Sequence, residues 1–403
     1  MNPASRLSAG AVLALVLSGC AGAPGDTAER AGPSPSPETS SPASAAADDG
    51  DGEREITSAL DDPADPSFPD PLIDLDDLVS GGPPPDGIRS LDRPLVEQVA
   101  DVDWLEGDEP VLSLTVAGRT RAYPIRILMW HEIANDRLAG VPVAVTYCPL
   151  CNSGVAFERT VAGQTTTFGT SGLLYADNLV MYDRLTESLW PQLTGRASVG
   201  TRTGDELVSI PMGTVGWAQF RKEHPDGTVL SRTTGMGRHY GDNPYVGYDD
   251  PDSEPMFALP SDPDARLRVK ARVVGVGKGA WAVAIPREVL AARRVQHVRV
   301  GPRRVVLWHF PGQRSALDTA EIPEGEEIGS VGAFVAHAAG RSLEFVVEEG
   351  TIRDLQTGSS WNVFGRAAAG PLTGRRLEAV AHLDTFWFAW AAFQPKTSLV
   401  TGR

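Results

Sequence analysis

Positive charge is scarce in this chain, with 36 Lys and Arg against 52 Asp and Glu and a formal charge of −16. Binding to a phosphate backbone depends on clustered cations that release counterions, so nucleic acid is not an expected partner. Aromatic residues are also few, at 7%, beside 41% hydrophobic residues and 42 glycines, a balance that reads as globular with many turns. Familiar catalytic signatures are missing. There is no P-loop and no dinucleotide fingerprint, and Asn135 stands where a zinc motif begun by His131-Glu132 would need its second histidine. A nucleophile elbow around Ser171 fails because Leu173 occupies the position of its second glycine. Cysteine is the rarest residue, with only three.

The first of the three follows a leader. Residues 1–20, MNPASRLSAGAVLALVLSGC, carry one arginine and then an apolar run too short to span a bilayer as a helix, which reads as a secretory signal. Its ending, Leu17-Ser18-Gly19-Cys20, resembles a bacterial lipobox, which implies lipidation of Cys20. A diacylated cysteine anchors stably, so the expected location is extracytoplasmic, with the membrane as a partner through the lipid. Residues 21–66 are nearly free of large apolar side chains and hold eleven acids against Arg30 and Arg54, as expected of a disordered stalk. Such a coil spans roughly 35 to 40 Å.

The rest of the chain is written twice. YDRLTESLWPQLTGRASVGTRTGDEL (182–207) aligns with RDLQTGSSWNVFGRAAAGPLTGRRL (353–377), and Trp217 and Pro225 align with Trp387 and Pro395. The expected fold class is α+β, mostly antiparallel β with short helices, as two tandem related domains after the stalk. The boundaries are an N-terminal extension at 67–99, a first repeat at 100–231, a loop segment at 232–270 and a degenerate second repeat at 271–403. Within the first repeat, VLSLTVAG and VPVAVTY read as strands, GVAFERTVAGQTTTFG as a hairpin turning at Ala162-Gly163, and NLVMYDRLTESLWPQL as a second hairpin. IRILMWHEIAND reads as a short helix and TVGWAQFRKEHP as another. Asp183, Thr186, Ser188 and Trp190 recur as Asp354, Thr357, Ser359 and Trp361, and are expected to close a turn and fill the core.

The repeat serves as an internal control. Cys148 and Cys151, in TYCPLCNSGVAF, face His309 and Gly312 in the sequence register, so the repeat does not need them in order to fold. Two thiolates on one turn suit a metal, with His131 as a third ligand and soft Cu(I) or Zn(II) as the expected ions. They also suit thiol redox chemistry, although no long helix follows to lower the thiol pKa. A structural disulfide is the third use, weakly motivated because the loop it closes is so short. Ser171, Tyr175, His239 and Tyr240 are candidates to line a cleft, and the loop around Arg238 to Tyr245 reads as a solvated linker.

WHEIAND, TYCPLCNSGVAF, FGTSGLLYADNLVMYDR, TESLWPQ and HPDGTVLS resemble the domain-of-unknown-function 3179 family, strongly over about residues 80–260. The resemblance implies a shared fold and a shared site at Cys148, Cys151 and His131. It brings no established reaction. A metal or thiol-redox lipoprotein and a non-enzymatic binding lipoprotein with a structural disulfide both fit the sequence.

Overall fold

The computed structural model describes residues 57–402, which fall within one compact unit. The leader, Cys20 and most of the expected stalk lie outside the described residues. The last part of that stalk is folded: Ala59 is fully buried against Val180, Tyr182, Leu189 and Val199. A side chain that small can be buried without a surrounding apolar run to announce it.

Each half builds three larger sheets and one two-stranded sheet. In the first half Met212–Gly216, Pro110–Val116, Arg119–Pro124 and Thr228–Leu230 lie side by side, and in the second His382–Phe386, Arg272–Val276, Val283–Pro286 and Ser398–Leu399 follow the same order. In both, the last strand runs parallel to its neighbour and the other pairs are antiparallel. The first half's second sheet contains Ser153–Glu158, Val141–Cys148 and Ile133–Leu138, matched by Ser330–Val335, Arg303–Phe310 and Val295–Val300. The third is a meander, Phe168–Tyr175, Asn178–Asp183 and Leu189–Pro191, against Phe345–Glu348, Thr351–Asp354 and Ser360–Trp361. The extension at 67–99 adds Leu78–Ser80, Leu91–Asp92 and Val96–Gln98 as edge strands of the first half.

Four seven-residue helices complete the described residues: α1 Ile125–His131, α2 Trp217–Glu223, α3 Arg287–Arg293 and α4 Trp387–Phe393. None is long and apolar enough to cross a membrane. The α+β class with mostly antiparallel strands holds. Helix α1 is shorter than IRILMWHEIAND promised, because Glu132 takes φ +55° and closes the helix with its N–H on the Leu128 carbonyl. Arg294 ends α3 in the same way, at φ +65° with its N–H on Leu290. The expected start of α2 at Thr214 is likewise a strand, since Met212–Gly216 pairs with Pro110–Val116.

The halves pack as one unit rather than as separate domains. The Cys151 carbonyl accepts the Phe386 N–H and the Thr385 hydroxyl from the second half, and the Gly216 N–H reaches Ser330 Oγ. The structural register also moves the sequence alignment by one residue. Thr146 pairs with Ile133 as Trp308 pairs with Val295, so His309 stands opposite Tyr147, and Phe310 opposite Cys148. The halves diverge just beyond. Cys148 pairs with Ser153 across the turn 149–152, whereas Phe310 pairs with Ser330 across a long loop, 311–329.

Candidate functional site

The apolar, β-branched run Val141–Cys148 forms an interior strand and delivers Cys148 to its buried end. The chain then turns so tightly that Asn152 adopts φ +51°, held by a 3.1 Å bond from the Tyr147 hydroxyl to its Oδ1. The turn brings Cys151 back over Cys148 with their sulfurs 3.0 Å apart; both residues are free cysteines, 1% and 0% exposed. A second element meets them. The hairpin of Phe168–Tyr175 and Asn178–Asp183 is longer than its counterpart, spanning Phe168 to Asp183 where the second half needs only Phe345 to Asp354.

The tip of that longer hairpin contacts both sulfurs. Asn178 Nδ2 donates to Cys151 Sγ at 3.1 Å and to Gln192 Oε1 at 3.0 Å, while Asn178 Oδ1 accepts the Leu193 N–H, so the amide is fixed. The Leu179 N–H points at Cys148 Sγ, 3.5 Å away, and the Cys151 thiol donates to the Asp177 carbonyl at 3.4 Å. Gln192 in turn donates to Thr146 Oγ1 and the Ser153 carbonyl, which ties the hairpin to the cysteine strand and its partner.

The segment between the repeats covers this cluster. Tyr248 donates its hydroxyl to Asp177 Oδ2 at 3.0 Å, where the Met256 N–H also arrives, and Asp177 Oδ1 is left buried without a partner. Lys270, 1% exposed, sits 3.4 Å from the centre of the Tyr248 ring and donates to the Tyr248 carbonyl and Ser253 Oγ. The long loop of the second half holds the cover in place, with the Tyr248 N–H on Leu317 and the Asn243 N–H on Ala320. The loop expected to be a solvated linker therefore carries buried groups, because tyrosines are large enough to seat even a Gly- and Asp-rich segment.

Burial governs the titration of the cluster, since removing water penalises the charged forms. It pushes the Cys151 thiol well up, reinforced by Cys148 and opposed by Asn178. The Asp177 carboxyl rises to about 7 through burial, against the hydrogen bonds of Tyr248 and Met256. Lys270 falls to about 8 and Glu132 rises to about 8, again through burial. Burial raises Tyr245 as well, with further contributions from Glu132, Cys148 and Asp177, which places all four groups in one neighbourhood.

His131 is not brought to the sulfurs. Its Nδ1 is bound to the Arg89 carbonyl at 2.7 Å and its Nε2 to the Tyr240 hydroxyl at 2.6 Å, so both ring nitrogens are occupied. Among the described residues no group of three His, Cys, Asp or Glu could hold a metal ion. The sulfurs at 3.0 Å are also closer than the roughly 3.8 Å that two thiolates keep on one tetrahedral ion. The site therefore does not fit the expected Zn(II), and the third ligand expected for either ion is missing.

The four cleft candidates are dispersed and share no hydrogen bond. Ser171 Oγ donates to the Val180 carbonyl inside the hairpin, Tyr175 packs edge-on against Phe393, His239 is exposed, and Tyr240 serves His131. The sequence reading missed Glu132, Asp177, Asn178, Gln192, Tyr248 and Lys270 as site residues, and placed Tyr245 in a solvated linker. One signal was available for two of these: Asp177 and Asn178 lie in the part of the hairpin that the second repeat lacks.

A family model described as "Protein of unknown function (DUF3179)" matches residues 85–397. The chain belongs to the DUF3179 family. That match spans both halves and every residue of the cysteine cluster. No curated protein and no solved structure matches the chain. For this DUF3179 protein, the geometry of the cluster is what bears on its chemistry.

Proposed function

We propose that this DUF3179 protein is a membrane-anchored, extracytoplasmic lipoprotein in which Cys148 and Cys151 cycle between dithiol and disulfide. The observation that carries the reading is the 3.0 Å approach of two sulfurs with no third metal ligand beside them. Closing a disulfide needs a movement of only about 1 Å. Oxidation joins the two sulfurs, breaks both S–H bonds and releases two protons and two electrons. The electrons pass to the disulfide of a second molecule by thiol–disulfide exchange, and that molecule leaves as a dithiol. Asp177, titrating near neutrality beside Cys151, supplies a proton acceptor where bulk water has no access. The lipobox-like Leu17-Ser18-Gly19-Cys20 supports the anchoring and the oxidising compartment. The matching strand orders support reading the chain as a duplicated scaffold, with the redox pair added to one copy.

Complete burial and the raised Cys151 thiol favour a second reading, a permanent structural disulfide, because a buried thiol is a poor nucleophile. Equilibrating the native protein across dithiothreitol couples, then quenching, denaturing and alkylating it, separates the two. A reversible two-electron titration that disappears in Cys148→Ser is the expected result. A pair that stays oxidised at every potential until the protein unfolds assigns the permanent disulfide instead.

A further inference from the structure

A cavity of about 340 Å³ lies on the seam between the two halves, away from the cysteines, with Ser113, Met212 and His224 from the first half and Phe334, Phe364 and His382 from the second among its walls. Its size falls at the lower end of the range for small-molecule sites, and like them it is mostly apolar with a few polar groups. Three of those polar side chains keep hydrogen-bonding capacity that no other described residue uses. His382 Nδ1 must donate to the Val380 carbonyl, 3.0 Å away, which leaves Nε2 as a lone-pair acceptor with nothing to accept from. The His224 ring rests on Phe220 and Phe364, with centroids 5.2 and 4.9 Å apart, and makes no hydrogen bond. Ser113 Oγ is also unbonded.

Burial keeps His382 below its ordinary pKa and takes His224 to about 4, so both rings are neutral at physiological pH. The cation on the wall, Arg376, is engaged by Glu223 at 2.9 Å. An anionic ligand would therefore meet no free charge. A neutral ligand would find aromatic rings to pack on, an imidazole acceptor to donate to, and a serine hydroxyl and second imidazole able to bond in either sense.

We propose that this seam cavity binds a small neutral hydroxylated aromatic molecule, with its hydroxyl donating to His382 Nε2 and its ring packed between Phe334 and Phe364. The two halves line it unequally: Met212 in one strand occupies the place that His382 holds in the equivalent strand, so the imidazole comes from one side alone. Gly213 keeps the cavity open, and it can be filled without strain. A Cβ there would meet the Val331 carbonyl at 3.6 Å and His382 at 3.7 Å, which are ordinary contacts, and its backbone is not left-handed.

The test is calorimetric titration of the full chain with 2-naphthol and with its methyl ether, 2-methoxynaphthalene. Saturable binding of one naphthol per chain is expected, with the ether about tenfold weaker because it cannot donate. Gly213→Leu should abolish binding and Gly213→Ala should weaken it. His382→Phe should reduce naphthol affinity about tenfold and leave the ether unchanged. Absence of saturable binding, equal affinity for naphthol and ether, or naphthol binding undiminished by both His382→Phe and Gly213→Ala would overturn the proposal. Thermal melts of each variant show that it is folded, and the smaller Gly213→Ala change decides the matter if the leucine variant is not.

Discussion

The two halves agree at one corner and part company at another. In the first, Asp183 accepts the Thr186 N–H and hydroxyl at 2.8 and 2.7 Å and Trp190 Nε1 at 3.0 Å; in the second, Asp354 accepts Thr357 at 2.7 and 2.9 Å and Trp361 Nε1 at 3.0 Å. Ser188 and Ser359 bond the same threonine hydroxyls, at 3.0 and 2.7 Å. That corner locks a turn to a buried indole and belongs to the scaffold. The end of the long central strand is different: a four-sided contact of turn, hairpin tip, inter-repeat segment and opposite half surrounds two sulfurs in one copy, and a loop replaces it in the other. A residue set kept twice identifies what the fold requires, and a set present once identifies what was added.

The comparison breaks first at its tryptophans. Trp190→Ala and Trp361→Ala each create a large cavity at a site 1% and 2% exposed, and each should cost about 3–5 kcal/mol in urea unfolding. A cost below about 1 kcal/mol in one half would show that the corners are not equivalent. Next come Asp183→Ala and Asp354→Ala, which strand buried donors and should each lose about 2–4 kcal/mol, again similarly in the two halves.

A smaller effect tests the part that is not shared. Burial lifts the Asp177 carboxyl from its ordinary 3.8 to about 7 in the native protein, so the folded state holds a proton that the unfolded chain has already released in that interval. Its contribution to stability is full below about pH 4 and declines as pH rises to about 7. Asp177→Asn should therefore flatten the stability profile over that window, gaining about 3–4 kcal/mol relative to wild type between pH 4 and pH 7.5. Glu132→Gln should flatten an overlapping interval that extends up to about pH 8, whereas Arg294→Gln, at the equivalent position, should leave the profile's shape there unchanged. Smallest is Ser171→Ala, which removes the hydroxyl's bond to the Val180 carbonyl and the one it accepts from the Leu173 N–H, and should cost about 1–2 kcal/mol while leaving the thiol titration unaltered.

Much of the scaffold was readable before the structure. The strands at VLSLTVAG and VPVAVTY, the hairpin at Ala162-Gly163 and the Asp-Thr-Ser-Trp corner rest on local periodicity and turn chemistry, which a sequence displays directly. The failures come from events that are not local. α1 ends where a glutamate is held in a left-handed conformation, with the Tyr147 N–H from a neighbouring strand on its carbonyl. The one-residue shift opposite Cys148 is visible only in the strand pairing, because the two stretches share too few residues to fix their register. His131 is near the cysteines only in sequence: as the last residue of α1 it is bound to the Arg89 carbonyl and the Tyr240 hydroxyl instead.

By itself the sequence determined the α+β class, the two similar halves, and the uniqueness of the Cys-Pro-Leu-Cys turn, because periodicity and repetition are properties of residue order. Only the tertiary structure decided what surrounds that turn. Asp177, Tyr248, Lys270 and Phe386 come from four separate stretches that only packing in three dimensions assembles around it, and burial there removes water from Asp177, Tyr248 and Lys270 and shifts their protons.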